Sequence, residues 1–268
     1  MKPDKRFHLK KRLLLSVVFC VALSMWIAFY TGLSAVSSNE IMAVVQLHII
    51  DPKTHISNEG SATFISGDGY LLTNYHVISP AIQDKTRAIV LCLTADARKP
   101  PLCSPVGLQL RAYNEQADLA LLKLKLVLPA GGQTPVDFAT FMRDKHIVLN
   151  HVNIERQAQD EHVNLGDQIQ ILGYPLTGGK SITYTEGVVS GFERAFSNGS
   201  WMPWLIKTDA TVNPGNSGGA AFDQANNFIG IPTLVRSDTG EIGYIISLPV
   251  VDSFLDAVLT TSTISGTR

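Results

Sequence analysis

The sequence predicts an all-β domain of barrel or sandwich type, closed by one C-terminal helix and preceded by a segment able to cross a membrane. Short apolar runs punctuated by Gly, Pro, Asn and Asp recur through most of the 268 residues, the pattern of many short strands. No repeated alternation of strands and helices separates them, which argues against a doubly wound sheet. An uncharged stretch near the N-terminus is the third observation.

That stretch comes first in the chain. Leu13 to Leu33 reads LLLSVVFCVALSMWIAFYTGL, 21 residues without a charge. At 1.5 Å per residue a helix of this length crosses roughly 30 Å of hydrocarbon. Residues 1–12 carry six Lys or Arg against one acid. Such a flank keeps the N-terminus in the cytoplasm and sends residues after about 34 outside, beginning with a short linker at 34–40. A retained anchor is the leading reading. Its rival is a signal peptide cleaved near Ala35-Val36-Ser37, although the apolar region exceeds the roughly 7–15 residues of a usual signal. Either way the remainder is exported. That remainder is mildly acidic and has no basic run, so a nucleic-acid partner is excluded. An apolar content of 45% excludes wholesale disorder.

Within the exported part, Met42–Ile50, Ala62–Ile65 and Tyr70–Thr73 read as strands, with Ser66-Gly67-Asp68-Gly69 a tight turn. Thr86–Leu93, Val106–Tyr113 and Leu119–Leu126 continue the series. Leu128–Pro135 is a Pro/Gly-rich passage, and Val136–Val163 has no clean period. It is open to reading as connector, insertion or short helix. Strands resume at Gln168–Leu172, Ile182–Ser190, Trp204–Lys207, Ala220–Phe222, Phe228–Pro232 and Gly243–Ile246. Val250–Leu259 spaces its apolar residues at helical intervals, and 261–268 is expected to be a frayed tail.

Cys20 lies in the apolar segment, where it is a small hydrophobe. Cys92 and Cys103 flank LTADARKPPL. They either close a loop in an oxidising compartment or stay separate buried thiols, and sequence leaves both open. Two cysteines make no zinc framework.

Thr208–Gly219, TDATVNPGNSGG, is the strongest local feature. Three glycines so close together suit a backbone that turns sharply or approaches a ligand. Ser217 is a candidate nucleophile there, and the amides of Gly215 and Ser217 are candidate oxyanion donors. An ordinary Asn/Gly turn is the plainer alternative. His76, in YLLTNYHVIS at a strand end, suits a general base; a hydrogen-bonded structural histidine is its alternative. Asp118 precedes the apolar run LALLKL. It can orient a histidine and fix its tautomer, or simply cap a strand.

The blocks TNYHVI, ADLALLKL and TDATVNPGNSGG, in this order, resemble the HtrA/Deg family of trypsin-like serine proteases, a branch of the chymotrypsin superfamily. GDQIQILGYP, EGVVSG and IGYIISLPVV strengthen the likeness, which spans about residues 41–260. The resemblance implies two six-stranded antiparallel barrels, about 41–128 and about 164–248, with the cleft between them. It implies that Ser217 is the nucleophile, His76 the base and acid, Asp118 its orienter, and Gly215 and Ser217 the oxyanion hole. Thr211 matches the base of the specificity pocket and Ile246 its wall, which suggests modest aliphatic side chains at the cleavage site.

The expected function is therefore serine endopeptidase action on unfolded or exposed polypeptides outside the cytoplasm, without cofactor or metal. The domain is expected to be held on the cytoplasmic membrane through residues 13–33 and to face a periplasm or the exterior, or to be secreted if the signal is cleaved. A gated or weakly active peptide-binding protein is the alternative. Many relatives carry PDZ domains; the sequence ends after the protease-like region, so tethering through PDZ domains is expected to be absent. Homo-oligomers also occur among relatives. His146, His151 and His162 match no metal spacing and read as surface residues. Gly178-Gly179-Lys180 reads as a turn, and Asn198-Gly199-Ser200 as an acceptor triplet relevant only on a glycosylating route. Phe192, Phe196, Trp201 and Trp204 suit a groove or a core equally.

Overall fold

The computed structural model describes residues 38–265 apart from 56, 95, 128–133, 146–148, 155–162, 178–179, 194–195, 198–199, 202–204 and 234–241. The chain divides into Met1–Ala35 and Val36–Arg268, and every described residue belongs to the second part. The basic flank 1–12 and apolar segment 13–33 lie outside the described residues, as do His146, His162, Trp204, Gly178-Gly179 and Asn198-Gly199.

A short helix α1 (Ser38–Ala43) leads into β1 (Val44–Ile50), β2 (Ser57–Phe64) and β3 (Tyr70–Thr73). Helix α2 (Tyr75–Gln83), β4 (Ala88–Leu93), β5 (Leu102–Asn114), β6 (Leu119–Val127) and β7 (Val136–Asp137) follow. Helix α3 (Phe138–Lys145) then occupies part of the stretch that has no sequence period. The second half holds β8 (Gln168–Gly173), β9 (Thr183–Glu193), a hairpin of β10 (Phe196–Ser197) and β11 (Ser200–Trp201), β12 (Leu205–Thr208) and β13 (Ala220–Asp223). It ends with β14 (Phe228–Thr233), β15 (Gly243–Ser247) and α4 (Leu248–Ser265). Helix α4 thus runs past Leu259 into the expected tail.

The expected pair of six-stranded barrels needs correction. The second sheet is a closed six-stranded barrel, β12-β15-β14-β13-β8-β9. The first is a curled seven-stranded sheet in the order β3-β2-β1-β4-β5-β6-β7, with an added pairing of β3 and β6. Strand β3 has only four residues and covers β6 only from Ala120 to Lys123. Beyond that point Leu126 and Val127 pair with Asp137 and Val136 of β7 instead. The sheet therefore stays open at that end. The membrane helix expected ahead of the domain falls on residues 13–33, outside the described residues; among the described residues no helix is long and apolar enough to cross a membrane.

Burial explains why β6 reads as a continuous apolar run rather than an alternating one. Leu119 and Leu121 enter a cluster shared with Leu172, Phe222 and Phe228 of the second sheet. Ala120, Leu122 and Leu124 enter the core inside the first sheet with Leu47, Phe64 and Leu71. Successive strand residues point to opposite faces, and both faces of β6 are covered. Helix α4 joins the shared cluster through Val251 and Phe254, with Leu255 and Val258 packed against it, a stripe at helical spacing. Cys92 and Cys103 face each other across β4 and β5 and form a disulfide, which decides between the two readings of that pair.

Candidate active site

Strand β3 ends at Thr73, and Asn74 takes an extended conformation that starts α2 at Tyr75. His76 therefore lies in the first turn of that helix, with its side chain 47% exposed. Asp118 closes the tight turn before β6 at φ 52. Its carboxylate accepts the backbone N–H of His76 at 3.0 Å. It also meets the His76 ring, Oδ2 lying 2.8 Å from Nδ1. With an ionised carboxylate on Nδ1, that nitrogen carries the proton and Nε2 is left as acceptor. Thr233, at the end of β14, donates its hydroxyl to Asp118 Oδ2 at 2.8 Å. The Asp118 carbonyl accepts from Asn74 Nδ2 at 2.9 Å and from the Tyr75 N–H at 3.2 Å. Thr233 was not singled out from sequence, because its role exists only once β14 is brought to the turn before β6; Asn74 lies inside the TNYHVI block but had no role assigned to it there.

Ser217 is buried in the turn between β12 and β13. Gly215 and Gly218 adopt φ of 100 and 86, a region costly for residues with a Cβ. A Cβ on Gly218 would lie 2.0 Å from the Ser61 carbonyl oxygen, and one on Gly215 would lie 2.3 Å from that of Tyr174. The glycines are there because other backbone passes against them. Two peptide planes in this loop are anchored through their carbonyls. Pro214 O accepts from Leu176 N at 2.8 Å, and Asn216 O accepts from Gly219 N at 2.9 Å. In a trans peptide the N–H opposes the C=O, so the N–H groups of Gly215 and Ser217 point away from these bonds.

The loop is joined to the His76–Asp118 pair. Gly218 N donates to Pro232 O at 3.1 Å, and the next residue is Thr233, which holds Asp118. On the other side Thr73, three residues before His76, donates to the Ser61 carbonyl at 2.7 Å. Ser61 N in turn donates to Ser217 O at 2.8 Å. His76, Asp118 and the Ser217 loop thus belong to one hydrogen-bonded assembly. Thr211 is exposed, its carbonyl accepting from Thr185 Oγ1 at 3.0 Å. Ile246 is buried in the shared core, paired with Leu205 and Ile231.

A second Ser–His–acid cluster lies on the first sheet. His48 Nδ1 is 3.3 Å from Ser57 Oγ and 3.4 Å from Glu59 Oε1. Both contacts use one ring nitrogen, whereas a proton relay needs serine on one nitrogen and acid on the other. His48 and Glu59 are also direct cross-strand partners, which accounts for their meeting. His48, Cys92 and Cys103 have ligand-type atoms within 4.8 Å of one another. The two sulfurs are joined, so no thiolates are offered to a metal. His151 is exposed, with Nδ1 3.2 Å from Leu149 O.

Comparison with known proteins places this geometry in a class. The family model of the trypsin-like peptidase domain matches residues 60–231. Protease Do-like 2, chloroplastic, of Arabidopsis thaliana is 32% identical over 202 residues, covering 74% of this chain and 28% of that protein. A probable periplasmic serine endoprotease DegP-like of Pseudomonas fluorescens is 28% identical over 201 residues, covering 75% of this chain and 34% of that one. A solved HtrA-type protease with a tripeptide aligns at TM-score 0.59 and 27% identity, over 82% of this chain and 61% of that one. The chain belongs to the trypsin-like peptidase family, as an HtrA/DegP-like member. It spans about a third of the length of the curated relatives it matches, 28% and 34% for the two proteins above.

Proposed function

We propose that this chain is a serine endopeptidase working by acyl transfer. Ser217 attacks the scissile carbonyl while His76 Nε2 takes its proton. Asp118 holds the ring on Nδ1 and stabilises the imidazolium that forms. The N–H groups of Gly215 and Ser217 receive the oxyanion of the tetrahedral intermediate. His76 then protonates the leaving amine, and water attacks the acyl-enzyme with His76 again as base. The observation that carries the reading is the Asp118 carboxylate, bonded at once to His76 and to Thr233 beside the nucleophile loop. Its substrates are unfolded or exposed polypeptides outside the cytoplasm, a reading supported by the periplasmic DegP-like relatives. Thr211 and Ile246 favour modest aliphatic side chains, being small or apolar and uncharged. Residues 13–33 hold the domain on the membrane, facing a periplasm or the exterior, and homo-oligomers form through the protease domain.

The test is covalent labelling by a fluorophosphonate probe. Wild type is expected to label, and Ser217→Ala to lose the label entirely. A folded wild type that stays unlabelled, yet binds unfolded peptides, would overturn the enzymatic reading in favour of peptide binding.

A further inference from the structure

Strand β2 presents a polar row to the nucleophile loop, and Ser61 stands at its centre. Ser61 is fully buried, in a β2 segment whose alternate residues, Ala62 and Phe64, fill the first core. Its hydroxyl donates to the Gly215 carbonyl at 2.7 Å and accepts the Tyr174 N–H at 2.9 Å. Its backbone N–H donates to Ser217 O at 2.8 Å, and its carbonyl accepts from Thr73 Oγ1 at 2.7 Å. Two residues along, Thr63 Oγ1 donates to Gly218 O at 3.2 Å.

We infer that Ser61 is a positioning residue that sets the orientation of the oxyanion-binding loop from the opposite sheet. This rests on the proposed acyl-transfer chemistry and adds a component that the motif blocks do not contain. The carbonyls of Gly215, Ser217 and Gly218 all end on β2, and the first two end on Ser61 itself. Gly215 is a glycine at positive φ, so its own conformation leaves the flanking peptides free to rotate. The Gly215–Asn216 peptide is held within the loop by its N–H on Asn213 O at 2.9 Å, and from the opposite sheet by the Ser61 hydroxyl on its carbonyl. The same hydroxyl fixes Tyr174 N–H, and Tyr174 leads through Pro175 to Leu176, whose N–H holds the Pro214 carbonyl. One oxygen thus steadies the Gly215 amide from both sides. Removing it leaves a buried carbonyl and a buried N–H without this partner, which is costly for both groups. The glycine loop is the softest place for that cost to be relieved.

The experiment compares wild type, Ser61→Ala, Ser61→Cys and Thr63→Val in hydrolysis of fluorescein-labelled casein, in fluorophosphonate labelling rate and in thermal melting. Ser61→Ala is expected to lower kcat and the labelling rate by about 10- to 100-fold, the scale of a small misplacement of reacting groups, with KM within twofold of wild type. Ser61→Cys, which keeps a weak donor, should recover part of the rate. Thr63→Val should lose less than Ser61→Ala. A folded Ser61→Ala with wild-type rates overturns the inference, as does a loss carried wholly by KM. If Ser61→Ala fails to fold, Ser61→Cys decides: slowing of about fivefold or more in kcat upholds the assignment, and wild-type rates overturn it. A wild type that neither cleaves nor labels removes the underlying acyl-transfer reading instead, so the two failures are distinguishable.

Discussion

Asp118 sits at φ 52, where an L-residue pays about 1–2 kcal/mol. Its surroundings outweigh that cost. The carbonyl takes two donors, and the carboxylate takes the His76 N–H, the His76 ring and Thr233. Bonds to a charged group contribute about 1.5–3 kcal/mol each, so the turn is over-determined. Asp118→Asn should keep the fold but lower kcat by about 10⁴-fold, because the amide can force the wrong imidazole tautomer; circular dichroism alongside peptidase assays checks both halves. Gly218→Ala is expected to abolish labelling and depress the melting temperature, since Ser61 O occupies the place of the new methyl group. The His76, Asp118 and Ser217 candidates were legible in sequence because each stands inside a block of recognisable spacing. Ser61 and Thr233 were not, because a buried Ser or Thr in a strand looks the same whether it serves packing or holds a neighbouring loop.

Strand β6 shows what limits reading of elements. Its apolar run was placed within a residue at either end, yet no sequence signal separated the Leu119 and Leu121 face from that of Leu122 and Leu124. Both faces being covered erases the alternation that would have told them apart. Leu122→Ala should destabilise the domain by about 2–5 kcal/mol, read by urea denaturation, with labelling of the folded fraction unchanged. Helix α2 went unread because His76 and Pro80 interrupt any apolar period in a nine-residue helix. In the turn before β3, burial raises the Asp68 carboxyl, but hydrogen bonds from Lys123 and Ser66 outweigh it and hold it below its ordinary range. A depressed folded value means a contribution present above the ordinary carboxylate range and lost as pH falls through it. Asp68 is largely exposed, so Asp68→Asn should change stability at neutral pH by under about 1 kcal/mol, with the difference vanishing in acid.

For the whole molecule, the Cys92–Cys103 bridge closes a short loop, with a sequence separation of 11. A loop of this size stabilises by about 2–3 kcal/mol in the chain-entropy view. Reduction by dithiothreitol should lower the melting temperature by about 4–10 °C; an unchanged melt would mean that β4 and β5 hold without it. The membrane half of the proposal is tested by protease accessibility of terminal tags in intact cells, where the C-terminal tag should be digested and the N-terminal tag protected. The barrel expectation went astray at β3 and β7, since strand closure depends on lengths and registers that apolar runs do not specify. The seam along β2 bears on how activity begins. The nucleophile lies late in the chain, yet its loop is held by Ser61 and Thr63 from the early half. Neither half, folded alone, assembles the reacting groups. On the proposed acyl-transfer reading, the reacting groups therefore come together only when the late half of the chain docks on the early one, so catalytic competence is a late event in folding.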